Sequence, residues 1–195
     1  DRRWSFLYKS EVKIAGMLGD SYVRKWSKTW ETKSVWDIDA IHDPDIIHYE
    51  PEDTGSGAAV EVPDEIIDEI TERTEVVLNH DSTIWKGDIL TRPNHGVIGF
   101  HGANIQEYRG RPVAFWQFLN GEDEIGVTLQ QYRESLDGGR LVELRTTDIS
   151  DCSTFSEIKS KQVKLHPKML AAGIKKLQDD DFEPEEMDDP GMLTY

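Results

Sequence analysis

The chain of 195 residues is long enough for one well-buried core, so a single domain is expected. Its 38 acidic against 22 basic residues give a formal net charge of -16, which repels nucleic acid and leaves no basic binding stripe. One cysteine fits a reducing cytoplasm, and no apolar run approaches the roughly 18 residues of a membrane helix, so neither nucleic acid nor membrane is an expected partner.

Residues 1–50 mix aromatic and charged side chains, and a strand or two with a helix is expected between Trp4 and Trp36. The chain starts at Asp1, and we expect it to begin inside a longer protein. The cluster of carboxylates between Asp37 and Asp45 could bind a divalent ion, but such clusters arise easily in an acidic chain, and no metal is predicted. An acidic surface also fits adaptation to high salt, an alternative that stays open beside simple solubility.

The run Pro51–Gly57 is rich in turn residues and predicts a loop. Its Asp-Thr-Gly-Ser segment is also similar to the catalytic turn of aspartic proteases, whose mechanism needs two such carboxylates. Only one copy is present, so a surface turn is expected. Pro63, followed by Ile66, Ile67 and Ile70 on one face, predicts a helix, and a short buried strand is expected over 76–78.

The apolar run 96–100 predicts a central strand, with His101 just beyond its carboxyl end. A helix is expected from Pro112 to Leu119 and is ended by Asn120-Gly121. Further elements follow in chain order: a strand over 125–132, a tight loop over 136–139, a strand over 141–149, a capping box over 154–157 and an apolar helix face at Leu170, Ile174 and Leu177.

Strands that alternate with helices predict an α/β fold, an open and mostly parallel twisted sheet with helices on both faces. In such sheets ligands bind at the carboxyl ends of strands, which is where His101 is expected. We predict one domain over residues 1–178 and a flexible acidic tail over 179–195, because the tail carries little apolar surface.

The segment from Gly96 to Gly110 resembles the strand and loop of the 10-formyltetrahydrofolate-dependent formyltransferases, in which a strand ends in Asn-x-His and a loop closes with Arg-Gly. Gly126-Val127-Thr128 resembles the next strand of that family, and Leu136-Asp137-Gly138-Gly139 resembles its catalytic aspartate loop. The resemblance covers about residues 96 to 149 and implies the Rossmann-like fold of that family.

The resemblance implies that His101 is the general acid and base and Asp137 its partner. Formyl transfer needs a group that takes a proton from the attacking amine and a donor for the oxygen that becomes negative. Gly99 departs from the family, because the expected Asn would donate a hydrogen bond to that oxygen. Asn104, on the following loop, is the predicted substitute.

The resemblance also implies a 10-formyltetrahydrofolate co-substrate and a small amine substrate. The predicted folate contacts are Tyr132, Glu134, Ser135 and Leu136. The predicted contacts of the amine are Gly102, Ala103 and Arg109.

The implied activity is formyl transfer to a primary amine of a small phosphorylated or nucleotide-linked substrate, either an amino sugar or glycinamide ribonucleotide. Formylation of an initiator tRNA is disfavoured by the acidic surface. Two alternatives stay open: a hydrolase that releases formate from the same folate, and a non-catalytic folate-binding relative, which Gly99 suggests.

Overall fold

The computed structural model describes residues 44–55, 59–80, 83–110, 112–134, 138–187 and 192–194. The chain divides into two compact units, Asp1–Ile46 and Ile47–Tyr195. Of the first unit only residues 44–46 are described, and they form no helix or strand. The elements expected between Trp4 and Trp36 and most of the carboxylate cluster around Asp37 therefore lie outside the described residues.

The second unit carries every helix and strand of the described residues. In chain order these are β1 (Glu52–Asp53), β2 (Ala59–Glu61), α1 (Asp64–Arg73), β3 (Val77–Asn79), β4 (Ile84–Lys86), a short 3-10 helix (Asp88–Leu90), β5 (Val97–His101), β6 (Tyr108–Gly110), α2 (Phe115–Asn120), β7 (Glu124–Gln131), β8 (Arg140–Asp148), α3 (Phe155–Val163), α4 (His166–Leu177), β9 (Glu185–Glu186) and β10 (Met192–Thr194).

The main sheet has five strands in the order β3-β5-β7-β8-β9. Strands β3 and β5 are parallel, whereas β5-β7, β7-β8 and β8-β9 are antiparallel. The α/β class and the open sheet are confirmed, but the pairing is mixed rather than mostly parallel. The short link between β7 and β8 reverses the chain, whereas a parallel pair needs a long crossover.

Two smaller sheets lie beside the main one. Strand β2 pairs antiparallel with β1 and parallel with β4. Strand β6 pairs in parallel with β10, in register from Tyr108 opposite Met192 to Gly110 opposite Thr194. Strand β6 follows the loop after His101, so β10 supports the segment next to the predicted catalytic residue.

Helices cover both faces of the main sheet, as predicted. On one face α4 packs over β5, β7 and β8, in a cluster that contains Ile98, Leu129, Val142 and Met169, each at most 2% exposed. Burial of apolar surface of this kind contributes about 25 cal/mol per Å². On the other face α1 and the 3-10 helix pack against Val97 at the start of β5.

The capping box is confirmed at the start of α3. The backbone N–H of Glu157 donates to Thr154 Oγ1 at 3.3 Å, and the Glu157 carboxylate accepts from the backbone N–H of Thr154 at 2.9 Å. Helix α2 begins at Phe115 rather than at Pro112, because Ala114 has a left-handed backbone with φ 64° that interrupts the helical turn. Gly121, with φ 73°, ends this helix as expected.

The acidic segment after α4 differs from the expected flexible tail over residues 182–187. Phe182 packs against the cluster under α4, and Met187 is only 8% exposed. Strand β9 pairs with β8, and Glu186 contacts both Arg133 and Arg140. Two apolar side chains and these ion pairs hold the segment on the sheet despite its composition.

Candidate active site

His101 is the last residue of β5 and is only 9% exposed. Its Nε2 lies 3.0 Å from the carbonyl oxygen of Tyr108 on β6. A carbonyl can only accept, so Nε2 carries the proton, and in the neutral ring Nδ1 has the lone pair. The imidazole is therefore held in the tautomer in which Nδ1 can take up a proton.

The loop that follows His101 is fixed by a buried hydroxyl from the neighbouring strand. Thr128 on β7 lies directly opposite His101 and is fully buried. Its Oγ1 donates to the Ala103 carbonyl at 2.8 Å and accepts from the Ile105 N–H at 3.1 Å. The backbone after the histidine is thus tied to the sheet at two points.

The carbonyl of Gly102 accepts a short hydrogen bond from the Gln162 amide on α3. A Cβ at this glycine would lie 2.7 Å from both Gln162 Nε2 and Val113 Cγ2, so a larger residue here would require one of these side chains to shift. Gln162 in turn accepts from the ammonium of Lys159, whose pKa is lowered because the group is largely buried. Helix α3 therefore supports the loop from behind.

Asn104 lies within the same loop and packs on β7. A Cβ added at Gly126 would come within 2.7 Å of the Asn104 Cβ. The Asn104 side-chain oxygen accepts from the backbone N–H of Gln106 at 3.2 Å, which shapes the turn. Its role as a hydrogen-bond donor to substrate stays a prediction.

Arg109 lies on β6, where Leu193 of β10 is its partner in the parallel register. The neighbouring Tyr108 hydroxyl donates a short hydrogen bond to Glu122 and accepts one from Asn120 Nδ2 at 2.9 Å. The hydrogen bond to the Glu122 carboxylate, with burial, raises the pKa of Tyr108. The phenol of Tyr108 is thus a structural tie between β6 and the end of α2.

The face of β5 that carries His101 also carries Gly99, and the space beside this glycine is filled by Tyr132. A Cβ on Gly99 would meet the Tyr132 hydroxyl and would lie 2.6 Å from its Cζ and 3.0 Å from its Cε1. The departure from the family pattern at residue 99 therefore coincides with an aromatic ring packed flush against the strand.

A cavity of about 450 Å³ lies at the loop between β7 and β8. Its lining residues are Leu90, Thr91, Arg133, Glu134, Gly138 and Glu186. Asp137, Ser135 and Leu136 lie outside the described residues, but Glu134 and Gly138, which flank them in sequence, both line the cavity. The predicted folate contact Glu134 also accepts a hydrogen bond from the Gly87 N–H at 2.9 Å.

Sequence reasoning gave no role to Thr128 and did not connect Tyr132 with Gly99. It also missed Gln130, which lies opposite Gly99 and whose side-chain oxygen is buried with no hydrogen-bond partner among the described residues. The sequence feature that could have indicated these two residues is the alternation of polar Thr128 and Gln130 with apolar residues along the strand. In the described part of the chain, no group of three or more His, Cys, Asp or Glu side chains could hold a metal ion.

A family model described as formyl transferase matches residues 40–174, which is more than half of the chain. The chain therefore belongs to the formyl transferase family, and the resemblance read from residues 96–149 is confirmed. None of the helices in the described part of the chain is both long enough and apolar enough to cross a membrane.

Curated relatives are similar over about half of the chain. The methionyl-tRNA formyltransferase of Caldanaerobacter subterraneus subsp. tengcongensis is 30% identical over 102 residues, which are 52% of this chain and 33% of that protein. The corresponding enzyme of Citrifermentans bemidjiense is 30% identical over 101 residues, or 52% of this chain and 32% of that protein. The chain thus spans about a third of the length of these relatives.

Solved structures show the same fold at low identity. The formyltransferase PseJ of Anoxybacillus kamchatkensis, crystallised with a UDP-linked formamido sugar and tetrahydrofolate, has a TM-score of 0.55 and 17% identity, and the match covers 64% of this chain and 66% of PseJ. A likely sugar N-formyltransferase of Mycobacterium tuberculosis has a TM-score of 0.54 at 17% identity, covering 67% of this chain and 55% of that one.

Proposed function

We propose that this chain carries the catalytic centre for transfer of a formyl group from 10-formyltetrahydrofolate to a primary amine. The observation that carries the proposal is the placement of His101. It ends a central strand, it is nearly buried, and its Nε2 is held 3.0 Å from the Tyr108 carbonyl. Because Nε2 is committed to the backbone carbonyl, Nδ1 is the ring nitrogen that we propose as the proton acceptor.

We propose the cavity beside the sheet, which is open to solvent, as the site of the pterin ring of a folate. Its volume of about 450 Å³ is typical of small-molecule sites. Glu134 is the proposed acceptor for ring N–H groups, and Leu90 offers an apolar contact. The ion pair between Arg133 and Glu186 borders the same cavity. We therefore assign the ring to this cavity, next to the predicted contact Tyr132.

When bound, 10-formyltetrahydrofolate supplies an electrophilic formyl carbon. His101 Nδ1 takes a proton from the amine as the new C–N bond forms, and it returns a proton to the folate nitrogen as the old C–N bond breaks. The Tyr108 carbonyl accepts from Nε2–H and stabilises the ring while it is positively charged. On the family resemblance, we propose Asp137 as a nearby carboxylate whose negative charge favours the protonated form of this imidazole.

The proposed acceptor is a small phosphorylated or nucleotide-linked amine, an amino sugar or glycinamide ribonucleotide. The net charge of -16 supports a small acceptor over a tRNA, because a polyanion of that length would be repelled. The relative PseJ was crystallised with a nucleotide-linked formamido sugar, which supports the sugar. We place the acceptor at the loop that contains Gly102, Ala103 and Arg109.

The test is a product assay with 10-formyltetrahydrofolate and a panel of acceptors: nucleotide-linked amino sugars, glycinamide ribonucleotide, methionyl-tRNA and buffer alone. Tetrahydrofolate is followed by absorbance, formate by an enzymatic assay and formylated product by mass spectrometry. We expect a formylated small amine. Formate release in buffer alone at the same rate would instead favour the hydrolase, and folate binding without turnover would favour the non-catalytic relative.

A further inference from the structure

We propose that the Tyr132 hydroxyl donates a hydrogen bond to the formyl oxygen, so that Tyr132 is a catalytic residue beside His101. This inference rests on the proposed function. It does not depend on how the acceptor amine is recognised.

The position of the phenol is set by the sheet. The backbone N–H of Tyr132 donates to the Val97 carbonyl at 2.7 Å, which places this residue level with the start of β5. Its ring packs in the cluster that contains Val97 and Leu90, and its tip reaches the position that a Cβ of Gly99 would take. The ring therefore extends along β5 from residue 97 toward residue 101, and the hydroxyl is the part of the side chain nearest to residue 101.

The hydroxyl and the imidazole share one face of β5. Residues 99 and 101 point to the same side of the strand, and their Cβ positions are roughly 7 Å apart. A carbonyl oxygen that accepts a hydrogen bond of about 2.8 Å from the phenol would lie between the two side chains. Because Gly99 has no side chain, nothing from β5 itself stands between the phenol and His101.

The proposed folate cavity is lined by neighbours of the same tyrosine, although Tyr132 itself is not one of its lining residues. Leu90 packs in the cluster with Tyr132 and lines the cavity, and Arg133 and Glu134 follow Tyr132 in sequence and line it as well. We therefore place the formyl-bearing end of a folate in this cavity toward the phenol. A donor preset at the position where negative charge develops stabilises the transition state more than the ground state.

The decisive variant is Tyr132→Phe, which keeps the packed ring and removes only the hydroxyl. We expect kcat to fall by about 10²-fold with a small change in KM, the usual cost of one oxyanion donor. The matched control is Tyr49→Phe, which removes a hydroxyl from the same apolar cluster and is expected to leave kcat within 2-fold of wild type. Thermal unfolding of both variants checks that the fold is kept.

A binding measurement separates this inference from the proposed function. Calorimetry is carried out with tetrahydrofolate and with a non-transferable 10-formyl folate analogue. We expect Tyr132→Phe to weaken the formyl analogue about 5-fold and to leave tetrahydrofolate unchanged, because one neutral hydrogen bond is lost.

If wild type binds both ligands and Tyr132→Phe changes neither kcat nor the preference for the formyl analogue, the role of the phenol is overturned and the proposed function stands. The same loss in Tyr49→Phe would also overturn it, since packing would then be the cause. If wild type binds neither folate, both proposals fall.

Discussion

The two faces of β5 and β7 differ although they belong to the same strands. One face carries Ile98, Val127 and Leu129, all fully buried under α4. The other, beyond Val97, carries Gly99 and His101 on β5 and the polar Thr128 and Gln130 on β7. Because side chains alternate along a strand, one pair of strands provides a dry core on one side and a polar, nearly buried surface on the other. The comparison indicates that stability and chemistry can be altered separately here.

The largest expected effect is on the polar face, in His101→Ala. We expect formyl transfer to fall by about 10²- to 10⁴-fold, because the proposed proton acceptor is removed. The free energy of unfolding should fall by no more than about 1–3 kcal/mol, because the Tyr108 carbonyl loses its hydrogen bond from His101. The measurement is kcat/KM together with urea denaturation.

The matched control for His101→Ala is His48→Ala, at an exposed position. It should leave the rate within 2-fold of wild type. If His101→Ala retained full activity with a folded protein, the assignment of the proton acceptor would be wrong.

The next effect is on the apolar face, in Leu129→Ala. Loss of a fully buried leucine should destabilise the fold by about 2–5 kcal/mol through lost burial and a cavity, and spare kcat at a temperature where the protein stays folded. Urea denaturation gives the free energy. The control Leu119→Ala, on α2, alters a side chain that is 47% exposed and should cost little.

A smaller effect, on both the free energy of unfolding and kcat, is expected for Thr128→Val. The valine keeps the shape but leaves the Ala103 carbonyl and the Ile105 N–H without their partner, at a cost of about 1–3 kcal/mol. Because these groups anchor the loop after His101, kcat should fall as well. Thr128→Ser keeps the hydroxyl and should retain more of both properties; equal losses in the two variants would contradict this account.

The smallest effect concerns pH and His166, whose ring stacks on Phe100 at 4.2 Å. Burial, with the charges of Lys159 and His80, lowers the pKa of His166 below its ordinary value. Below about pH 6.5 the unfolded chain therefore binds this proton before the folded chain does, and stability falls as the pH falls. We expect His166→Phe to keep the ring stacking and to reduce the pH dependence of the free energy of unfolding between about pH 7 and pH 5. The change in slope should be less than about 1.4 kcal/mol per pH unit, which is the most that one proton can contribute.

Urea denaturation across this pH range provides the measurement. The same substitution at exposed His48 should leave the slope as in wild type. An unchanged slope in His166→Phe would show that other groups, such as the carboxylates, carry the acid sensitivity.

The features that sequence predicted well are those fixed by neighbours in the chain. The strand that ends at His101 follows from a local apolar run, the α3 capping box from Thr154 and Glu157, and the end of α2 from Gly121. Each depends on residues within one or two turns, so the physical cause is visible in the sequence.

The features that sequence missed depend on contacts between distant residues. The contact between Gly99 and Tyr132 arises only when β5 and β7 pair, and the burial of Met187 arises only when the acidic segment meets β8. The late start of α2 comes from a left-handed backbone at Ala114, a conformation that alanine rarely adopts and that no propensity predicts.

The close fit between Gly99 and Tyr132 has a consequence for how this sequence can change. A side chain at position 99 would meet the aromatic ring, so a substitution there requires the ring to shift or to become smaller. A smaller residue at 132 opens a void next to Leu90 and Val97 that a side chain at 99 can fill, but it also removes the proposed hydroxyl donor. Substitutions at positions 99 and 132 are therefore expected to be coupled, because the side chain at one site occupies the space beside the other.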